Sequence, residues 1–221
     1  MRPTRLVAAL VPLALASLVA ACDGAGPSYT GHNTYEYFPL DGERSWKYAM
    51  DDDSAGYILE VEKVSTAEQG GTQIATLEYR KEDTGDLLYS VQWSSDSAGG
   101  ILIHGYEVQG GDSVTFDAPV QFADYRMIGG DTVETQTNGM NFASTLVGLE
   151  SCPNLWTTEE WECLHMSLDD GDGDDMAGPP FAGDWWIAGS WGASRFQPTG
   201  WNADWVLTNA YFCDPDSQNC D

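Results

Sequence analysis

The sequence predicts an all-β protein: one domain built as a curved antiparallel sheet or half-barrel, placed after a cleaved signal peptide. Three observations carry this. Short segments rich in aromatic and β-branched residues follow one another from about residue 45, and such residues favour the pleated, half-buried surface of a strand. Gly, Asp and Ser separate the segments at hairpin spacing. No stretch beyond the first 21 residues sustains an amphipathic helical period.

The segments run in order as "SWKYAM", "YILEVEKVS", "TQIATLEYR", "LLYSVQWSS", "ILIHGYEVQ" and "SVTFDAPVQF". In the first, Trp46 and Tyr48 share a face, because side chains alternate along a strand. Before it, Pro39 ends an extended approach and Asp41-Gly42 turns the chain. After it, Asp51-Asp52-Asp53 reads as a charged hairpin turn. In the fourth, Leu87, Tyr89, Val91 and Trp93 face one side while Ser90, Gln92 and Ser94 face the other. The same strand signals return late in the chain, in "WWIAGSWGASRF" and "WVLTNAYFC".

Before the sheet come three stretches of a different kind. Arg2 and Arg5 precede sixteen uncharged residues, Leu6 to Ala21, short of the roughly 20 that a membrane-spanning helix needs. A charged start, an apolar run and small residues form a secretory signal over residues 1–21. Val19-Ala20-Ala21-Cys22 also resembles the lipobox of bacterial lipoproteins, which implies that Cys22 is the first mature residue and carries lipid on its sulfur. Residues 22–33, "CDGAGPSYTGHN", are small, polar and glycine-rich, as in a flexible tether. Residues 34–221 then form the β-rich domain.

Cleavage before Cys22 removes two of nine basic residues and none of the 35 acidic ones, so the formal charge moves from −26 to −28. Such a surface repels nucleic acid and excludes it as a partner. The remaining 200 residues suffice for one core. With Cys22 committed to lipid, Cys152, Cys163, Cys213 and Cys220 are an even set outside the reducing cytosol, and two disulfides follow. The loops "CPNLWTTEEWEC" and "CDPDSQNC" favour Cys152 with Cys163 and Cys213 with Cys220. The spacings lack a Cys-x-x-Cys zinc pattern.

At Tyr37-Phe38-Pro39-Leu40, Gly42, Trp46 and Tyr48 the chain resembles the opening of a broad group of bacterial envelope lipoproteins. The likeness extends through "FDAPVQFADYRMIGG" to the two late strand segments, with the cysteine-bearing, acidic residues 150–180 standing as an insertion. It implies an antiparallel β half-barrel and no catalytic residue.

Few residues carry a chemical pattern. Asp170, Asp172 and Asp174 alternate in "DDGDGDD" as carboxylates do around calcium, but Asp175 and Phe181 occupy the positions where an EF-hand needs Gly and Glu. The loop is expected to be solvated, with a simple calcium site as the alternative; no cofactor is expected other than calcium in that alternative. Seven of nine tryptophans lie from Trp156 onward. In Trp185-Trp186 one indole points away from the core unless both sheet faces are covered, so Trp185, Trp186 and Trp191 are candidates for a ligand surface. His32, His104 and His165 fit no triad. "AGSWG" around Ser190 lacks the helix a nucleophile elbow requires.

The function expected is a non-enzymatic, lipid-anchored protein of the bacterial cell envelope, at the inner or outer membrane, with a binding or structural role. Glycan binding through the late tryptophans, or carriage of an apolar ligand in the half-barrel, are the alternatives. The partners expected are the membrane and an envelope protein, a glycan or an apolar molecule.

Overall fold

A computed structural model of the chain describes residues 31–52, 54–152, 155, 157, 160–171, 179–201 and 203–213. Cys22, Asp172, Asp174 and Cys220 lie outside the described residues. The body is a 12-stranded antiparallel sheet made of β2 (Glu43–Met50), β3 (Leu59–Gln69), β4 (Thr72–Lys81), β5 (Leu87–Asp96), β6 (Gly100–Val108), β7 (Ser113–Ala123), β9 (Thr132–Thr137), β10 (Met140–Cys152), β11 (Trp161–Asp169), β12 (Gly183–Ala188), β13 (Gly192–Pro198) and β14 (Trp205–Cys213). A second, two-stranded sheet pairs β1 (His32–Asn33) with β8 (Arg126–Met127). The last two residues of the expected tether therefore belong to the fold.

Two hairpin meanders, β2 to β7 and β9 to β14, meet where β2 pairs with β14. Register shifts interrupt seven of the ladders, among them β3 with β4, β5 with β6 and β10 with β11. Each bulge bends its strand and raises the local twist, and together they curl the sheet until its edge strands β7 and β9 lie side by side. That seam is bridged by side chains. The Asp117, Ala118 and Gln121 backbone N–H groups donate to Asn138 Oδ1, Thr137 Oγ1 and Thr135 Oγ1 at 2.8, 3.1 and 3.0 Å. Asn138 Nδ2 returns a bond to the Thr115 carbonyl at 2.9 Å. The expected half-barrel is thus nearly closed, and edge groups that would otherwise recruit another strand are occupied.

A barrel of this many strands encloses more space than aliphatic side chains fill. Aromatic residues fill it: Trp46, Tyr48, Tyr79, Trp93, Phe116, Phe122, Phe142, Phe181, Trp185, Phe196 and Trp205 are all buried. Phe38 is buried among them with its ring centroid 4.9 Å from that of Trp93. It is carried there by the 3-10 turn Thr34–Tyr37, which is fixed where Thr34 Oγ1 donates to the Asp124 carbonyl at 2.6 Å. The interior gap lined by Phe38, Trp46, Tyr79, Trp185 and Phe196 measures about 10 Å³, at the lower limit for one water.

Within the stretch 150–180, β11 pairs with β10 on one side and β12 on the other and sends Leu164, Met166 and Leu168 into the core. Alternation fixes this, since those three residues sit at every second position of the strand.

Candidate functional site

The outer face of β10 to β14 carries a cluster of polar and aromatic groups. On β11, Cys163 and His165 point outward because Leu164 and Met166 point inward. Ladder register sets Glu150 opposite Cys163, Trp186 opposite His165, and Arg195 opposite Trp186. Three adjacent strands thus align His165, Trp186 and Arg195 in one row.

His165 is clamped. Its Nδ1 lies 2.8 Å from Glu150 Oε1 and its Nε2 lies 3.3 Å from Asp184 Oδ1, and its side chain is only 14% exposed. Burial alone would push the imidazole pKa down; hydrogen bonds to Asp184 and Glu150 reverse this and hold it above 6.5. Its hydrogen bond keeps Asp184 below the ordinary carboxylate value. Glu150 is lowered first by Trp186 Nε1, which donates to its Oε2 at 2.9 Å, and then by His165. The Trp186 indole lies between the His165 ring, stacked at 4.4 Å from its centroid, and the Arg195 guanidinium at 4.1 Å. Attraction to the face of the indole favours both. Arg195 also pairs with Asp204, whose carboxyl is raised by burial despite that pairing.

When protonated, an imidazole with both nitrogens facing carboxylates donates from each and in that state offers no lone pair to a proton or a metal ion. Three carboxylates, Glu150, Asp184 and Asp204, and two basic groups, His165 and Arg195, surround the Trp186 ring.

Burial separates the three tryptophan candidates. Trp185 is 3% exposed and faces the core, stacked on Phe196 at 4.9 Å. Trp186 does face outward but is 7% exposed, because neighbouring strands supply its cover. Trp191 is half-buried and stacked on Trp161, with centroids 5.4 Å apart and planes 13° from parallel. Beside them, Cys152 and Cys163 form a disulfide with Cα atoms 5.9 Å apart, as the spacing suggested. Cys213 is disulfide-bonded to a partner outside the described residues.

The acidic string contributes one described ligand candidate, Asp170, which is 3% exposed between the exposed Asp169 and Gly171. Among the described residues no group of three or more His, Cys, Asp or Glu side chains is placed to hold a metal ion. His104 is bonded to Ser94 Oγ at 2.8 Å, and burial lowers its pKa. Ser190 occupies a tight turn at φ 65° and is followed by β13, not a helix.

No protein-family profile, curated protein or solved structure matches the chain. The clamp on His165 was missed in the sequence because it joins three strands; the outward position of His165 was available from the alternation of Cys163, His165 and Ser167 against Leu164, Met166 and Leu168, but the register to Glu150 and Asp184 was not.

Proposed function

We propose that this chain is a lipid-anchored protein of the bacterial cell envelope, acylated at Cys22, whose β-barrel body serves as a non-catalytic binding or structural module. The observation that carries the reading is how soon the body starts: Thr34, a short distance after Cys22, is already fully buried and bonded to Asp124. A lipid on Cys22 would hold the barrel close to a bilayer. The aromatic filling of the interior and the satisfied His165 clamp support a body built to persist, and the resemblance of its opening to envelope lipoproteins agrees. With two or three acyl chains, each buried methylene contributing about 0.8 kcal/mol, such an anchor is effectively permanent.

The test is metabolic labelling with a fatty acid in cells expressing the chain or its Cys22→Ser variant. Label and membrane partition should both be lost in the variant; partition that survives the change would refute the anchor.

A second reading, glycan recognition, is favoured by the partly buried Trp161 and Trp191 pair, since flat indoles stack on sugar rings. Tryptophan fluorescence titrated with envelope glycans should then respond in the parent and not in Trp191→Ala. Equal responses would remove this reading.

A further inference from the structure

Large apolar side chains stand exposed at the place where the N-terminal chain enters the fold. His32 and Asn33 pair with Met127 and Arg126, and Arg126 Nε donates to the Gly31 carbonyl at 3.3 Å. On either side of this point Tyr125 is 48% and Ile128 is 37% exposed. The loop that follows is laid against β10: the Gly130 N–H donates to the Leu146 carbonyl at 2.7 Å, and a methyl group on Gly129 would meet the Val147 carbonyl oxygen at 3.5 Å. There β10 has run past the end of β9 and bulges, turning Val147 out to 47% exposure, with Leu149 at 39% two residues on.

The acidic groups of this loop are turned back on its own backbone. Asp124 Oδ1 accepts the Tyr125 N–H at 2.7 Å and Asp131 Oδ2 accepts the Ile128 N–H at 2.9 Å. In a chain of net charge −26, the surface around residues 125–130 is apolar and aromatic, with Arg126 in its midst. A tyrosine and a long basic side chain beside aliphatic groups suit the boundary between headgroups and acyl chains.

We propose that Tyr125, Ile128, Val147 and Leu149 form the face of the barrel that rests on the bilayer. The inference depends on the reading of Cys22 as the acylated residue. Its warrant is where the tether leaves the body: residues 23–30, at about 3.5 Å each when fully extended, reach at most roughly 30 Å. Whatever surface lies at Gly31 is therefore held near the lipid. A barrel tethered there presents this patch toward the membrane and its carboxylate-rich remainder toward water, and burying even shallow apolar area at the interface is favourable.

The test is amide hydrogen exchange on the full acylated chain reconstituted in phosphatidylcholine vesicles, compared with the Cys22→Ser chain in solution. Residues 125–130 and 147–149 should exchange several-fold more slowly on vesicles while the rest of the body is unchanged. Ile128→Asp combined with Val147→Asp should abolish that protection with the acyl mass on Cys22 intact. Equal exchange in the two states would overturn the proposal, as would protection that appears without vesicles and grows with protein concentration, which would make the face a contact between copies. If Cys22 carries no lipid, the anchor reading fails by mass alone. Exchange of the unacylated chain with and without added vesicles then decides the surface, protection supporting it and its absence overturning it.

Discussion

The indole N–H of Trp46 donates to the backbone carbonyl of Trp191 at 2.7 Å. Two residues on, the Tyr48 hydroxyl donates to the Ala193 carbonyl at 2.9 Å. One face of β2 thereby fastens the β12–β13 hairpin from inside the barrel, across the intervening β14. The Trp-x-Tyr spacing of the opening segment gives these two aromatic side chains a common direction, and their polar tips find partners that a phenylalanine could not supply.

Trp46→Ala should destabilise the body by about 3–5 kcal/mol through loss of a buried aromatic, severe against a typical total of 5–15 kcal/mol. Trp46→Phe keeps much of the packing but leaves the Trp191 carbonyl unbonded, which costs about 1–3 kcal/mol. Urea unfolding of both variants checks the order. A Trp46→Ala variant that unfolds like the parent would show that β2 does not secure the hairpin.

The His165 clamp predicts a signed pH dependence. The folded-state pKa of His165 stands above 6.5, so its contribution is fully present below that value and is lost as pH rises through the folded pKa. Glu150 and Asp184 are held below 4.5 and 3.8; theirs is present above those values and lost as pH falls through the lowered ones. The cluster therefore contributes most at mildly acidic pH, between the carboxylate and imidazole ranges. Urea midpoints measured across pH should decline on the alkaline side of this window in the parent and decline less in His165→Gln. An identical alkaline slope in both would remove the charged clamp.

Closure of the barrel rests on Thr135, Thr137 and Asn138. Asn138→Ala removes both the acceptor for the Asp117 N–H and the donor to the Thr115 carbonyl; it also replaces asparagine at φ 51° with alanine, which tolerates the left-handed region less well. The variant should lose about 2–3 kcal/mol in urea unfolding, with amide exchange quickened at Asp117 and Ala118 first. Thr135→Val is the near-isosteric control, expected to expose only the Gln121 amide. Unchanged exchange along β7 in both would mean that the seam is held by something else.

The strands were legible where local chemistry and burial agree. In β5, Val91 and Trp93 alternate with polar neighbours and are fully buried, and in β2 Trp46 and Tyr48 do the same. The β9–β10 hairpin carried an equally local signal, Asn138-Gly139, whose positive φ angles of 51° and 79° are what a tight hairpin turn demands. That dipeptide is the local signal for β9 and β10. The late tryptophans misled for a physical reason. Alternation correctly sends Trp185 and Trp186 to opposite faces, but whether the outer face is bare depends on His165 and Arg195 arriving from adjacent strands, and sequence spacing does not contain that register. Barrel closure was hidden in the same way, since the bonds from Asp117 to Asn138 and from Gln121 to Thr135 join strands separated by an irregular connection.

The most direct test of the lipid-anchored reading is the mass of the N-terminal peptide from protein extracted out of bacterial membranes. The account predicts that the mature chain begins at Cys22 and that this residue carries a thioether-linked diacylglycerol. A mature chain that begins at another residue, or a Cys22 recovered as a free thiol or in a disulfide, would contradict it.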